Sequence, residues 1–362
     1  MKTGIVLICA LLSLPAAAGT LWISHYDGVD SQVDRIPESG TPIRVAQAYP
    51  AARAETPTRV AVVAGFEDPM SFRVRVFDKK TGRVISDWPI PLSPEQSIGR
   101  NFSDVLLLDD SAYLLVRAGS FDPPATVRNA LGGIYTVIHV ALRDGKSRAL
   151  PLDEKYEHAQ LLSLGGVPVV AEWRRNAFAR LSPDGSRMQE LRFDDALADG
   201  MSTKDADFVW SSHFPCAEQV AVDGVGLFRQ SKTGHLQRVT DAYLEPLPAP
   251  RASIALGPVN HTQLLIAATS SAGPAIAVIR QEEKGRSLTF VDATTLSVLW
   301  KRPLDAGANI WATIAAGPDA IAYVDSEQGV VKRLSRTGVQ VMHRLPAESY
   351  FTHAHLLSAG AP

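Results

Sequence analysis

Few residues in this chain combine the types and the spacing that chemistry needs. His353 and His355, two apart in THAHLLSAGAP, project to one side of a strand, a spacing that metal sites use. His158 in EHAQLLSLGGVP holds the position equivalent to His353, because the two stretches are nearly the same sentence. His213 and Cys216 in SSHFPC offer the types of a nucleophile and its base. In EWRRN, Trp173 stands beside Arg174 and Arg175, whose guanidinium forks suit a carboxylate or phosphate. Glu67 and Asp68 in GFEDPMS, Arg128 in GSFDPPATVRNALGG, and Asn309 and Trp311 in ANIW complete the ligand-binding candidates.

Each candidate has a plainer reading. Histidines at strand ends are satisfied by hydrogen bonds, a cysteine beside Phe214-Pro215 is core, and EWRRN is a solvated loop with Trp173 wedged between sheets. No G-x-S-x-G elbow, P-loop, Rossmann glycine fingerprint, H-E-x-x-H or C-x-x-C occurs. No metal and no cofactor is expected.

The elements that must position these residues are strands. No stretch sustains a helical period; short Val, Ile, Leu and Phe runs alternate with Gly, Pro, Asp and Ser clusters. In SFRVRVF (71–77), Phe72, Val74 and Val76 point one way and Arg73 and Arg75 the other. A hairpin recurs with turns at 28, 82, 145, 185, 234, 296 and 338, each with glycine supplying positive φ except Leu296. Such spacing fits a four-stranded propeller blade, with each hairpin as the outer pair. The inner pairs precede it, as in SDVLLLDD and AYLLVRAG (103–119), and their Ala, Val and Leu suit burial on both faces.

Six full blades fit between about 41 and 345. An outer hairpin remains at 21–36 and an inner strand in THAHLLSAG, so the seventh blade is shared by both extremities. The expectation is a single all-β, seven-bladed propeller over 19–362, its last blade closed by N-terminal outer strands and a C-terminal inner strand. A β-sandwich or a pair of small β domains is the alternative. Three long loops, 119–133 and 269–287 between second and third strands and 193–207 between blades, would gather at one end of the channel. Blades three and seven would then lie nearly opposite, which separates His158 from His353 and His355 and speaks against a shared ion.

FVDATTLSVLWKRPL (290–304) and VFDKKTGRVISDWPIPL (76–92) resemble the D-x-x-T-G-x-x-x-W outer hairpin of pyrroloquinoline-quinone-type repeats. The broader resemblance is to quinoprotein amine dehydrogenase-like propellers. It implies seven blades in which Asp, Gly and Trp build turns and pack neighbouring blades, and it carries no quinone-binding residue onto this chain. A resemblance also reaches the periplasmic propeller of the outer-membrane assembly machinery, whose lipid-anchoring cysteine has no counterpart here.

Composition sets the setting. MKTGIVLICALLSLPAAAGT reads as an export signal over 1–18: Lys2, an apolar run from Ile5 to Leu14, and Ala16-Ala17-Ala18. Retention as an anchor is the alternative. Cleavage leaves Cys216 alone, so no internal disulfide can form. A formal charge of −2 lacks the basic surface that nucleic acid requires. The sequence thus points to a periplasmic or secreted binding module, or a non-catalytic subunit of an envelope assembly. Its partner would be an envelope protein or a small anionic ligand at the loop end of the channel, with no transmembrane span after cleavage. The alternative is a propeller enzyme, quinoprotein-like or lactonase-like, with its site at the channel mouth.

Overall fold

The apolar runs form strands throughout: in the computed structural model the chain is all-β, with seven four-stranded antiparallel sheets. The structure describes residues 20–26, 31–37, 41–48, 52–67, 71–92, 102–117, 135–156, 159–172, 177–191, 219–230, 234–242, 247, 252–257, 263–315, 317–345 and 355–358. The proposed signal segment, Asp68, Arg128, His158, Trp173, Arg174, Arg175, His213, Cys216 and His353 lie outside them.

Strands β1 (Leu21–Tyr26), β2 (Ser31–Ile36) and β3 (Ile43–Ala46) come first. Blade 1 is β4 (Ala52–Glu55), β5 (Arg59–Ala64), β6 (Arg73–Asp78) and β7 (Val84–Pro89). Blade 2 is β8 (Phe102–Leu107), β9 (Ser111–Arg117), β10 (Tyr135–Ala141) and β11 (Ser147–Pro151). Blade 3 is β12 (Gln160–Leu164), β13 (Val167–Glu172), β14 (Ala177–Leu181) and β15 (Met188–Leu191). Blade 4 is β16 (Gln219–Val222), β17 (Gly226–Gln230), β18 (His235–Arg238) and β19 (Ser253–Ala255). Blade 5 is β20 (Leu264–Ser270), β21 (Gly273–Glu282), β22 (Gly285–Asp292) and β23 (Val298–Leu304). Blade 6 is β24 (Ala308–Ala315), β25 (Ala320–Asp325), β26 (Val330–Ser335) and β27 (Gly338–Arg344). The final strand is β28 (His355–Ser358).

Strand β28 pairs antiparallel with β1, making a closing blade of order β28-β1-β2-β3. The first strands of the blades touch in turn, β4, β8, β12, β16, β20, β24 and β28, and β28 returns to β4. The ring is complete, and the closing blade has four strands, three of them from the N-terminal side.

Three details depart from the sequence reading. The hairpins turning at 28 and 234 are second-to-third-strand pairs, because each is followed by a further strand: β2 pairs with β3 and β18 with β19. Consequently 41–48 belongs to the closing blade, and blade 1 starts at Ala52. Residues 269–287 are no long loop. Alternation of Ala275, Ala277 and Ile279 with Ile276 and Val278 buries both faces of β21, leaving a turn of two residues before β22.

Packing between blades explains the strand sequences. In β5, Ala61 and Val63 join a core with blade 2, whereas Val60, Val62 and Ala64 join one with the closing blade. Each fully buried valine contributes about 1.5–3 kcal/mol. The D-x-x-T-G-x-x-x-W signature acts across such seams. Asp78 Oδ1 accepts from the Thr81 amide and hydroxyl, both at 2.7 Å, and Gly82 turns with φ of 75°. Trp88 Nε1 then donates to the Leu142 carbonyl of blade 2 at 2.9 Å, its ring lying where a side chain on Gly145 would stand. Leu296 adopts φ of 55° in place of glycine, and its buried side chain fills the core between blades 4 and 5. Outer edges are blunted by Pro89, Pro151 and Pro303.

Candidate functional site

Antiparallel order brings the start of every innermost strand to one end of the ring, together with the connections between second and third strands and those between blades. At that end each innermost strand carries a polar residue: Arg53, Asp104, Gln160, Gln219, Asn309 and His355, with Gln263 just before β20. These positions make a collar at that end of the ring, in which Gln263 is buried and Asp104 turns towards blade 3. The connections from β13 to β14, with Trp173, Arg174 and Arg175 in their sequence, and from β9 to β10, with Arg128, join strands at the same end.

Asn309 and His355, singled out in the sequence, fall on the collar. Trp311 lies in β24 where the strand bulges: Asn309 pairs with Val324 but Thr313 with Tyr323, so three residues of β24 have no partner position on β25. The Thr313 hydroxyl braces that bulge by donating to the Asn309 carbonyl at 3.1 Å.

Glu67 stands on the loop after β5, and it is engaged. Its carboxylate accepts from Arg75 at 2.8 Å, while Asp87 accepts from Arg75 at 2.6 Å and Arg73 at 2.7 Å. The Arg75 guanidinium stacks on Phe66, 3.9 Å from the ring centroid. Burial pushes the Asp87 carboxyl up, but the two arginines outweigh it and hold it below the usual range. Blade 6 has a second closed network. Lys332, buried, donates to Asp305 at 2.8 Å and Asp325 at 2.7 Å, and the Tyr323 hydroxyl donates to Asp305 at 2.8 Å. Burial pulls Lys332 down, and the two carboxylates more than offset it. Both networks fasten strands: the first balances two arginines against two carboxylates, whereas the second sets one lysine against two carboxylates and keeps one negative charge over.

Two collar residues are different. Asp104 faces blade 3 and accepts from the Leu161 amide and from its own neighbour Val105, each at 2.9 Å. Burial raises its carboxyl to about 7 against the pull of those two amides. The Leu161 amide belongs to the channel-side strand of the next blade, so this carboxyl bridges two blades. Arg53 is the opposite case. Burial lowers its guanidinium to about 10 despite the nearby charge of Glu55, and its Nη1 is out of solvent with no hydrogen-bond partner. The residue as a whole is half-buried. Sequence reasoning missed both, since ARAE and SDVL read as ordinary strand ends. On the blade 4–5 side, Gln263 donates to Gln230, whose amide donates to the Gly257 carbonyl at 2.6 Å.

Among the described residues, no group of three His, Cys, Asp or Glu side chains could hold a metal ion. No described helix is long and apolar enough to cross a membrane.

No protein-family description and no curated protein matches the sequence. Solved structures do resemble the fold. A functionally unknown protein from Desulfotomaculum acetoxidans is 12% identical with a TM-score of 0.48, covering 93% of this chain and 99% of its own. AofleA from Arthrobotrys oligospora is 10% identical with a TM-score of 0.40, over 82% and 86% of the two chains. Kluyveromyces lactis Hsv2 is 10% identical with a TM-score of 0.45, over 80% and 75%. Likeness at these values carries no information about activity.

Proposed function

We propose that this chain is an exported binding module, periplasmic or secreted, whose ring presents a ligand or an envelope partner protein at the collar end of the channel. The collar carries this reading: polar positions recur at or just before the start of the innermost strands, and the Arg73–Arg75–Glu67–Asp87 network beside them is internally neutralised. Binding residues sit best on loops held by a rigid frame, and the ring of sheets supplies that frame at the end where second and third strands connect. Export rests on the signal-like segment 1–18. Kinship with quinoprotein-type repeat propellers rests on the Asp78–Thr81–Gly82 turn and the docked Trp88.

A propeller enzyme is the second reading, favoured by one observation: Asp104 titrates near neutrality at the collar. Its two backbone amides occupy it as a fastener, and no second perturbed group of matching role faces it among the described residues. The binding reading is tested by affinity capture from the cell envelope with mass spectrometry of proteins and metals. A stoichiometric partner protein supports it; a stoichiometric metal with no partner overturns it. The mature N-terminus, expected at Gly19, tests export.

A further inference from the structure

We propose that the seam between the closing blade and blade 1 is a carboxylate-binding site, with Arg53 as its fork and Ser24 as its second donor. The proposal rests on the binding-module reading and deepens it by naming a ligand chemistry at the collar.

Register puts the two groups on one seam. Trp22 and Val33 of the closing blade pack against Val60, Val62 and Phe77 of blade 1. Ser24 follows Trp22 by two residues on β1 and therefore faces the same way. Arg53 pairs with Val62 across β4 and β5, so it shares the face of Val62. The lower part of the seam is sealed: Trp22 packs against Phe77, with ring centroids 5.4 Å apart, and donates to the Lys79 carbonyl at 3.1 Å. Above this seal, the Ser24 hydroxyl, in a residue 1% exposed, has no hydrogen-bond partner, and neither has Arg53 Nη1. Two unsatisfied buried donors on opposite walls of one seam are rare in folded proteins.

Charge adds a separate constraint. Among the described residues on this face of blade 1, Arg53, Arg73, Arg75 and Lys79 meet Glu55, Glu67 and Asp87, while Arg35 of the closing blade donates to the Lys79 carbonyl and lies near the charge of Asp78. Glu55 is taken by Lys79 at 2.6 Å, and the other two carboxylates by Arg73 and Arg75. Arg53 is the cation left over. A guanidinium cannot shed its proton in a protein, so burial demands an anionic acceptor. Its fork presents two parallel N–H groups that match the two oxygens of a carboxylate. One negative charge balances the surplus. A phosphate dianion would over-balance it and would bring oxygens that the apolar walls, Val62, Val33 and Trp22, cannot serve.

The test is thermal unfolding of the mature protein with sodium propionate as probe, against sodium phosphate and sodium chloride at matched ionic strength. A ligand bound only by the folded state raises the midpoint in a saturable manner. Wild type is expected to respond to propionate far more than to phosphate. Ser24→Ala should need roughly three- to tenfold more propionate, the worth of one hydrogen bond. Arg53→Met should lose the response, and Arg53→Lys, which keeps charge without the fork, should be weakened at least about tenfold; the lysine variant carries the test if the methionine variant does not fold. A wild type indifferent to propionate, an unchanged response in Arg53→Met or Arg53→Lys, or tighter response to phosphate overturns the carboxylate assignment. Envelope capture separates the two readings: a wild type that ignores propionate yet retains its partner loses this site and keeps its role as a binding module.

Discussion

Replacing Asp104 with asparagine converts a channel-side titration into a measurable slope. The folded-state value of about 7 lies above the ordinary 3.8, so between those limits the folded chain binds more protons than the unfolded one. Stability contributed by this group is therefore intact below about pH 4, declines as pH climbs towards 7, and is flat beyond. Roughly three pH units at about 1.4 kcal/mol each set a ceiling of about 4 kcal/mol. The partial solvent exposure of the residue reduces this to about 2–3 kcal/mol. The asparagine side chain would stay neutral throughout and could still accept from Leu161 or Val105 at the same place. The variant's absolute stability absorbs the loss of one amide bond, about 1 kcal/mol, whereas the slope does not. The assay is the unfolding midpoint of wild type and Asp104→Asn at half-unit intervals from pH 4 to 8. The variant should gain on wild type by about 2–6 °C between pH 4 and 7 and then run parallel. A variant-minus-wild-type difference that stays constant from pH 4 to 7, or that shrinks as pH rises, would refute the burial argument.

Three further substitutions probe the frame. Arg53→Met removes an unpaired buried charge, so in chloride alone it should raise the unfolding midpoint, by about 1–3 kcal/mol in stability; a lower midpoint in chemical denaturation would show that the guanidinium already has a partner. Lys332→Met strands Asp325, which is 1% exposed, and should cost about 3–5 kcal/mol by the same measurement. Gly145→Ala sets a Cβ in a backbone with φ of 72°, 2.6 Å from Trp88 Cδ2, and should cost about 2–4 kcal/mol with a changed tryptophan emission as its signature.

The ring is legible in the sequence because its repeats are written in local chemistry. Asp78, Thr81 and Gly82 make one turn, and the same types at other turns mark further blades. HAQLLSL and HAHLLSA share a pattern because both serve as innermost strands, β12 and β28. Turn chemistry does not say which pair of strands it joins, however, and this is why sequence alone sets the hairpins at 28 and 234 one strand too far out. Apolar runs broken by Pro274 and by charged residues such as Arg280 hide β21, whose burial on both faces comes only from neighbouring sheets. At the site, Asn309 and His355 stand out because they lie beside recognisable strand patterns. Arg53 and Ser24 do not, since an arginine in ARAE and a serine in LWISHY look ordinary until two distant segments are set against each other. Glu67 falls at the right end, but its commitment to Arg75 depends on a neighbouring strand.

Pairing β28 with β1 joins residues more than 300 positions apart, so the circle cannot be sealed until almost the whole chain is available. On the proposed route of export, six sheets can form during threading through a translocation channel, with Ile23 and Leu356 still unpaired. Assembly of the finished molecule is thereby timed to follow emergence of its last strand, like a clasp that can be fastened only after the necklace has been drawn through. Shortening the chain by a dozen residues at its C-terminal side would strip every molecule of that clasp, and the exposed inner edge of β1 would then be open to chaperones, proteases or another copy.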